Sequence, residues 1–79
     1  MKRYLRLGGD SGVVAYAIRA TEIDVQFVDG TVYTYTYGSA GREHVEQMKL
    51  LAKAGEGLSG YISKHVHADY ARRRDRGER

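Results

Sequence analysis

One hairpin limits the fold more than any other feature of the chain. Glu22-Ile23-Asp24-Val25-Gln26-Phe27 alternates polar and apolar residues without a break, Asp29-Gly30 follows, and Thr31-Val32-Tyr33-Thr34-Tyr35-Thr36-Tyr37 alternates again in β-branched and aromatic residues. Period-two alternation sorts side chains onto the two faces of a strand. Asp-Gly is a strong hairpin dipeptide because glycine accepts positive φ at no steric cost. An earlier run, Val13 to Arg19, is also β-branched and aromatic at alternate places, with Val14, Tyr16 and Ile18 on one face and Ala20-Thr21 as a short connection. These runs predict a three-stranded antiparallel meander.

The turn leaves two registers open. A two-residue turn pairs Val28 with Thr31 and Gln26 with Tyr33, setting Tyr33, Tyr35 and Tyr37 beside Glu22, Asp24 and Gln26. A three-residue loop, Val28-Asp29-Gly30 with a bulge at Gly30, pairs Phe27 with Thr31, Val25 with Tyr33 and Ile23 with Tyr35. A one-residue slip flips every side chain. Burial favours the bulged loop, because it joins the apolar sides of both strands. The hydroxyls of tyrosines so placed still need partners or water, since an unpaired buried polar group is costly.

Two helices follow. Gly38-Ser39 breaks the sheet, with Ser39 as a cap. A helix is expected over residues 40–54, with His44, Val45, Met48, Leu51 and Ala52 on one face and Arg42, Glu43, Glu46, Gln47, Lys49 and Lys53 largely elsewhere. Gly55 stands where a left-handed residue stops a helix. Ser59 then caps a second helix over residues 60–73, on which Leu58, Ile62, Val66 and Tyr70 form a stripe flanked by Tyr61 and His65. The fold class expected is α+β: a three-stranded antiparallel β-meander followed by two helices packed on one face (βββαα). Residues 1–12 read as a basic lead-in, 13–73 as the domain and 74–79 as a frayed basic tail.

Seventy-nine residues allow one domain with a modest core, and the absence of cysteine excludes disulfides and thiolate metal sites as staples. The same absence suits a cytoplasmic protein. No run approaches the roughly 18 apolar residues that span a bilayer, and the basic start is followed by no apolar run of signal-peptide length. Charge is divided unevenly. Lys2, Arg3 and Arg6 give the first six residues +3, and five arginines against Asp75 and Glu78 give the last eight +3. The body between carries five basic and eight acidic side chains. Basic arms attract phosphate-rich partners with little sequence preference.

The hairpin run Val25 to Tyr35, followed by Gly55-Glu56-Gly57-Leu58-Ser59-Gly60-Tyr61-Ile62, resembles the KTSC domain. That family is named for the C-terminal extension of some lysyl-tRNA synthetases and also occurs as short stand-alone bacterial proteins. Its Tyr-x-Tyr after a Phe-x-x-Gly hairpin maps to Tyr33 and Tyr35 after Phe27 and Gly30. Its Gly-Leu-(Ser/Asn)-x-Tyr-Ile segment maps to Gly57, Leu58, Ser59, Tyr61 and Ile62. The resemblance covers residues 13–70 and implies the fold order. RNA binding has been proposed for the family and no enzymatic activity is established.

Catalytic chemistry finds little footing. His65 and His67 are two apart, so on a helix they point about 200° from each other and do not readily share a metal with His44. Ser63 and His67 are four apart on one helix face, but no third residue orients them. Gly8 to Gly12 lacks the lysine of a phosphate-binding loop and precedes a strand. Gly55 to Gly60 leads into a helix, where free amides with Lys64 suit one phosphate at most. No catalytic residues, cofactor, metal or small-molecule substrate are therefore expected. The candidate nucleic-acid site comprises Lys2, Arg3 and Arg6, Lys64 and His65, Arg72, Arg73, Arg74 and Arg76, with Tyr33 and Tyr35 as a stacking platform. The arginines are expected to close the second helix, and to form one patch if the N-terminal cations lie nearby. The partner expected is RNA before DNA. The alternative is a protein-interaction module or homodimer using the two sheet edges of the meander.

Overall fold

The computed structural model describes residues 1–7 and 12–75. Among these residues the sheet has five antiparallel strands in the order β1-β2-β3-β4-β5: β1 Lys2–Arg3, β2 Val13–Arg19, β3 Glu22–Phe27, β4 Val32–Thr36 and β5 Arg72–Arg74. The three expected strands are the middle three. The outer two correct the expected architecture: the lead-in supplies one edge, and the segment expected to end the second helix supplies the other.

The hairpin adopts the bulged register. Val25 faces Tyr33 and Ile23 faces Tyr35, Phe27 N donates to Thr31 O at 2.9 Å, and Gly30 takes φ 92°. The side-chain period then carries Ile23, Val25 and Tyr35 into the core, all at most 1% exposed. In β2 a bulge between Val13 and Ala15 shifts the register. Val13, rather than Val14, joins Tyr16 on the buried face, because one extra residue reverses facing on one side of the bulge.

β4 ends at Thr36, one residue before Tyr37. Thr36 and Ser39 form a reciprocal cap, Thr36 Oγ1 accepting from Ser39 N and Ser39 Oγ from Thr36 N, both at 3.0 Å. They start the single turn α1, Tyr37–Ala40, ahead of α2, Arg42–Ala54. Gly55 stops α2 in the left-handed region, φ 76°, donating to Leu51 O and Ala52 O. Val45, Met48 and Ala52 pack on the sheet. Lys49, expected on the solvent side, is 8% exposed. Its Nζ donates to Glu46 at 2.8 Å and to Ala20 O at 2.9 Å, which fastens α2 to the β2–β3 turn.

The second helix, α3, begins at Leu58 after Gly57, with no side-chain cap, and its α-helical part is Leu58–Tyr61. It widens into a π-turn over Ile62–Val66, and the chain leaves it to reach β5. Leu58, Ile62 and Val66 are buried, whereas Tyr70 lies beyond the helix and is half-buried. The helices cover one face of the sheet, and no described helix is long and apolar enough to cross a membrane.

Candidate functional site

Strand register decides which face each terminal cation occupies. Arg73 lies opposite Tyr33, on the helix-covered face, while Arg72 faces Thr34 and Arg74 faces Val32 on the uncovered face. Across the sheet, Arg3 faces Ala15 and shares the uncovered face, and Lys2 faces Tyr16. The basic termini therefore do not meet in one patch. Four strand spacings separate β1 from β5, about 19 Å, and Glu22 and Asp24 stand between them. Arg6 is exposed on the N-terminal side, Lys64 and His65 are exposed on α3, and Arg76 lies outside the described residues.

On the uncovered face, Arg19, Arg72, Glu22 and Asp24 are paired with one another. Arg19 Nη2 binds Glu22 at 2.6 Å and Asp24 at 2.7 Å, Arg72 Nη2 reaches Glu22 at 3.0 Å, and Thr34 Oγ1 donates to Asp24 at 2.6 Å. Burial alone pushes the Asp24 carboxyl up, but the bonds from Arg19 and Thr34 outweigh it and hold its pKa below the ordinary value. Arg72 is thereby committed to the fold.

The helix-covered side of the β5 edge is different. A cleft of about 480 Å³ opens between the β3–β4 loop, β4 and the exit from α3, within the size range of small-ligand pockets. Tyr33 is its centre. Its ring lies 4.9 Å from that of Tyr70 and 5.5 Å, edge-on, from Phe27. Tyr35 meets Tyr70 edge-on at 6.4 Å. Arg73 holds its guanidinium 5.9 Å from the Tyr33 ring centre while Nε donates to Asp75 at 2.7 Å, an arrangement in which the planar cation keeps further donors available. The Tyr35 ring is 1% exposed, yet no buried side-chain oxygen or nitrogen among the described residues lacks a partner. Since no described residue hydrogen-bonds to its hydroxyl, that hydroxyl meets water at the cleft. Burial, with Tyr33, Tyr70 and Asp69 nearby, pushes the Tyr35 phenol up, so it stays a neutral donor.

Asp29 closes one end. Its Oδ1 accepts from Thr31 N at 2.9 Å, and that backbone bond holds the carboxyl below its ordinary pKa. Ser63 and His67 also line the cleft, but no hydrogen bond joins them and no described carboxylate orients the imidazole. The arrangement can stack a planar ring, offer hydroxyl donors and present one cation and one anion.

Of the expected residues, Tyr33, Tyr35 and Arg73 come together here, with Arg74 next along the edge. Lys2, Arg3, Arg6, Lys64 and His65 lie elsewhere. Sequence reasoning missed Phe27, Asp29 and Tyr70. A signal existed for the first two, because the bulged register that buries Tyr33 brings the loop beside it. Tyr70 was concealed by its fit to a helical stripe.

Two other expectations are altered. The amide of Leu58, in the glycine segment considered for phosphate, donates to Tyr4 Oη at 3.1 Å inside the core. His65 pairs with His44, their rings stacked at 5.5 Å, and His44 Nδ1 lies 2.7 Å from Tyr61 Oη. Among the described residues no three potential metal ligands converge. Comparison with family models, curated proteins and solved structures finds no match for this chain.

Proposed function

We propose that the chain is a small non-enzymatic nucleic-acid-binding module, RNA before DNA, that stacks an unpaired base in the tyrosine cleft and runs the phosphate backbone along β5. The observation that carries this reading is the convergence of Tyr33, Tyr35, Tyr70 and Arg73 on one cleft at a sheet edge. Aromatic faces stack any base, and cations beside them follow the backbone. Arg74, adjacent on the outer face, has no ion-pair partner among the described residues and adds to the positive rim. The resemblance to KTSC domains, and a cytoplasmic location suggested by the absence of cysteine, suit the same reading.

Fluorescence anisotropy with single-stranded and duplex RNA across a salt series tests it. Single-stranded binding that weakens steeply with salt is expected. Binding no tighter than that of an unrelated protein of equal charge, or insensitive to salt, contradicts it.

A second reading, a protein-interaction or self-associating module, draws on the other edge, where Met1, Leu5 and Leu7 are exposed on the N-terminal segment. Sedimentation over a concentration series distinguishes it: a strict monomer with no co-purifying partner counts against it.

A further inference from the structure

The cleft is polarised, and its polarity matches one base. Asp29 and Arg73 both line it, and Arg73 is near enough for its charge to act on the Asp29 carboxylate. Asp29 accepts from Thr31 N at 2.9 Å and is also held by the Thr31 side chain; a carboxylate has about four lone-pair positions, so acceptor sites remain at the cleft mouth. Arg73 is bonded through Nε to Asp75 and also interacts with the Tyr70 side chain; of its five N–H donors, those not so engaged remain for a ligand.

Among the four RNA bases, only guanine presents two adjacent donors, N1–H and the 2-amino group, next to two acceptors, O6 and N7. A carboxylate takes the donor pair and an arginine fork takes the acceptor pair. Adenine and cytosine set a single amino group beside a ring acceptor that repels a carboxylate. Uracil sets its one N–H between two carbonyls. The tyrosine rings stack all four bases alike, so discrimination falls to the charged pair.

We propose that the cleft is a guanine-selective base pocket, with Asp29 reading the Watson–Crick edge and Arg73 the O6/N7 edge; this rests on the nucleic-acid reading above. Selectivity arises because only guanine bonds both charged groups at once.

The test uses the full chain and the RNA pentamers UUGUU, UUAUU, UUCUU and UUUUU, with inosine at the centre of a fifth, in anisotropy titrations at fixed salt. UUGUU is expected to bind about tenfold tighter than the others, with inosine, which lacks the 2-amino group, losing several-fold. Asp29→Asn can keep the bond from Thr31 N but loses the second acceptor. It should abolish the preference for guanine, bringing UUGUU and UUUUU to equal affinity. Circular dichroism, and amide shifts in β2 and α2, unchanged from those of the parent chain establish that the variant is folded. Equal binding of all pentamers, or an Asp29→Asn variant that still prefers guanine, overturns the pocket assignment while leaving the nucleic-acid reading in place. Binding of none of them overturns both.

Discussion

At the β1 edge, Lys2 and Arg3 precede Tyr4, whose buried ring passes a hydroxyl to Leu58 N, and Leu7, whose N donates to Gly55 O at 2.6 Å. At the β5 edge, Arg73 and Arg74 follow Tyr70, whose ring helps line an open cleft. The two ends carry the same formal charge in the sequence, yet their neighbours use it differently. The N-terminal segment is anchored to the ends of α2 and α3, and its cations project from a structural tether. The C-terminal strand sets one arginine against tyrosine rings and another against Glu22. Counting charge therefore locates neither site, whereas asking which face each cation occupies separates Arg72, beside Glu22, from Arg73, beside the tyrosine rings.

If the β1 edge is a tether, breaking it should damage folding first. Tyr4→Ala removes a side chain 2% exposed and leaves Leu58 N without its acceptor. Urea unfolding is expected to show a loss of about 3–5 kcal/mol, enough to unfold much of a domain this small. A loss below about 1 kcal/mol would mean that the edge is not anchored.

The opposite edge should respond in binding. Tyr33→Ala removes the central ring of the cleft and is expected to weaken single-stranded RNA binding by about 1–3 kcal/mol, read by anisotropy in a variant whose fold circular dichroism verifies. The tether can be sharpened at Gly55. An added Cβ there meets Leu5 Cβ at 2.8 Å, in a backbone held at φ 76°. Gly55→Ala is expected to cost about 1–2 kcal/mol of stability and to leave RNA affinity per folded molecule unchanged.

The paired arginines of the uncovered face predict a pH effect. The Asp24 pKa is lower folded than unfolded, so the unfolded chain binds more protons in acid. Its stabilising contribution is complete above the ordinary carboxyl range near 3.8 and is lost as pH falls through the lower, folded value. Asp24→Asn should flatten the acid limb of a stability–pH curve by less than about 1 kcal/mol. The smallest effect is expected from Lys2→Ala with Arg3→Ala, which should weaken RNA binding by less than about threefold, the residue of long-range attraction screened by salt. A loss matching that of Arg73→Ala with Arg74→Ala would erase the distinction between the edges.

How much of this was legible follows from where the signals are local. The bulged hairpin could be read because Val25, Phe27, Tyr33 and Tyr35 must share a face, and Gly55 because a helix stop needs a left-handed residue. β1 is two residues long and has no period to read. β5 is three consecutive arginines with no apolar alternation, and its strand character comes from the free edge of β4. Leu58, Ile62, Val66 and Tyr70 fit a helical stripe, but the π-turn ends that helix early and releases Tyr70 to meet Tyr33. The cleft was thus half visible: its tyrosine strand was in the sequence pattern, and its wall was a product of tertiary pairing.

The central claim is that nucleic acid enters at β5 and not at β1. Titrating the ¹⁵N-labelled chain with UUGUU and following amide shifts tests it most directly. The account predicts saturable, salt-sensitive changes clustered at residues 27–35 and 62–75, with residues 2–7 unmoved. Changes centred on residues 2–7, or none at any RNA concentration, would contradict it.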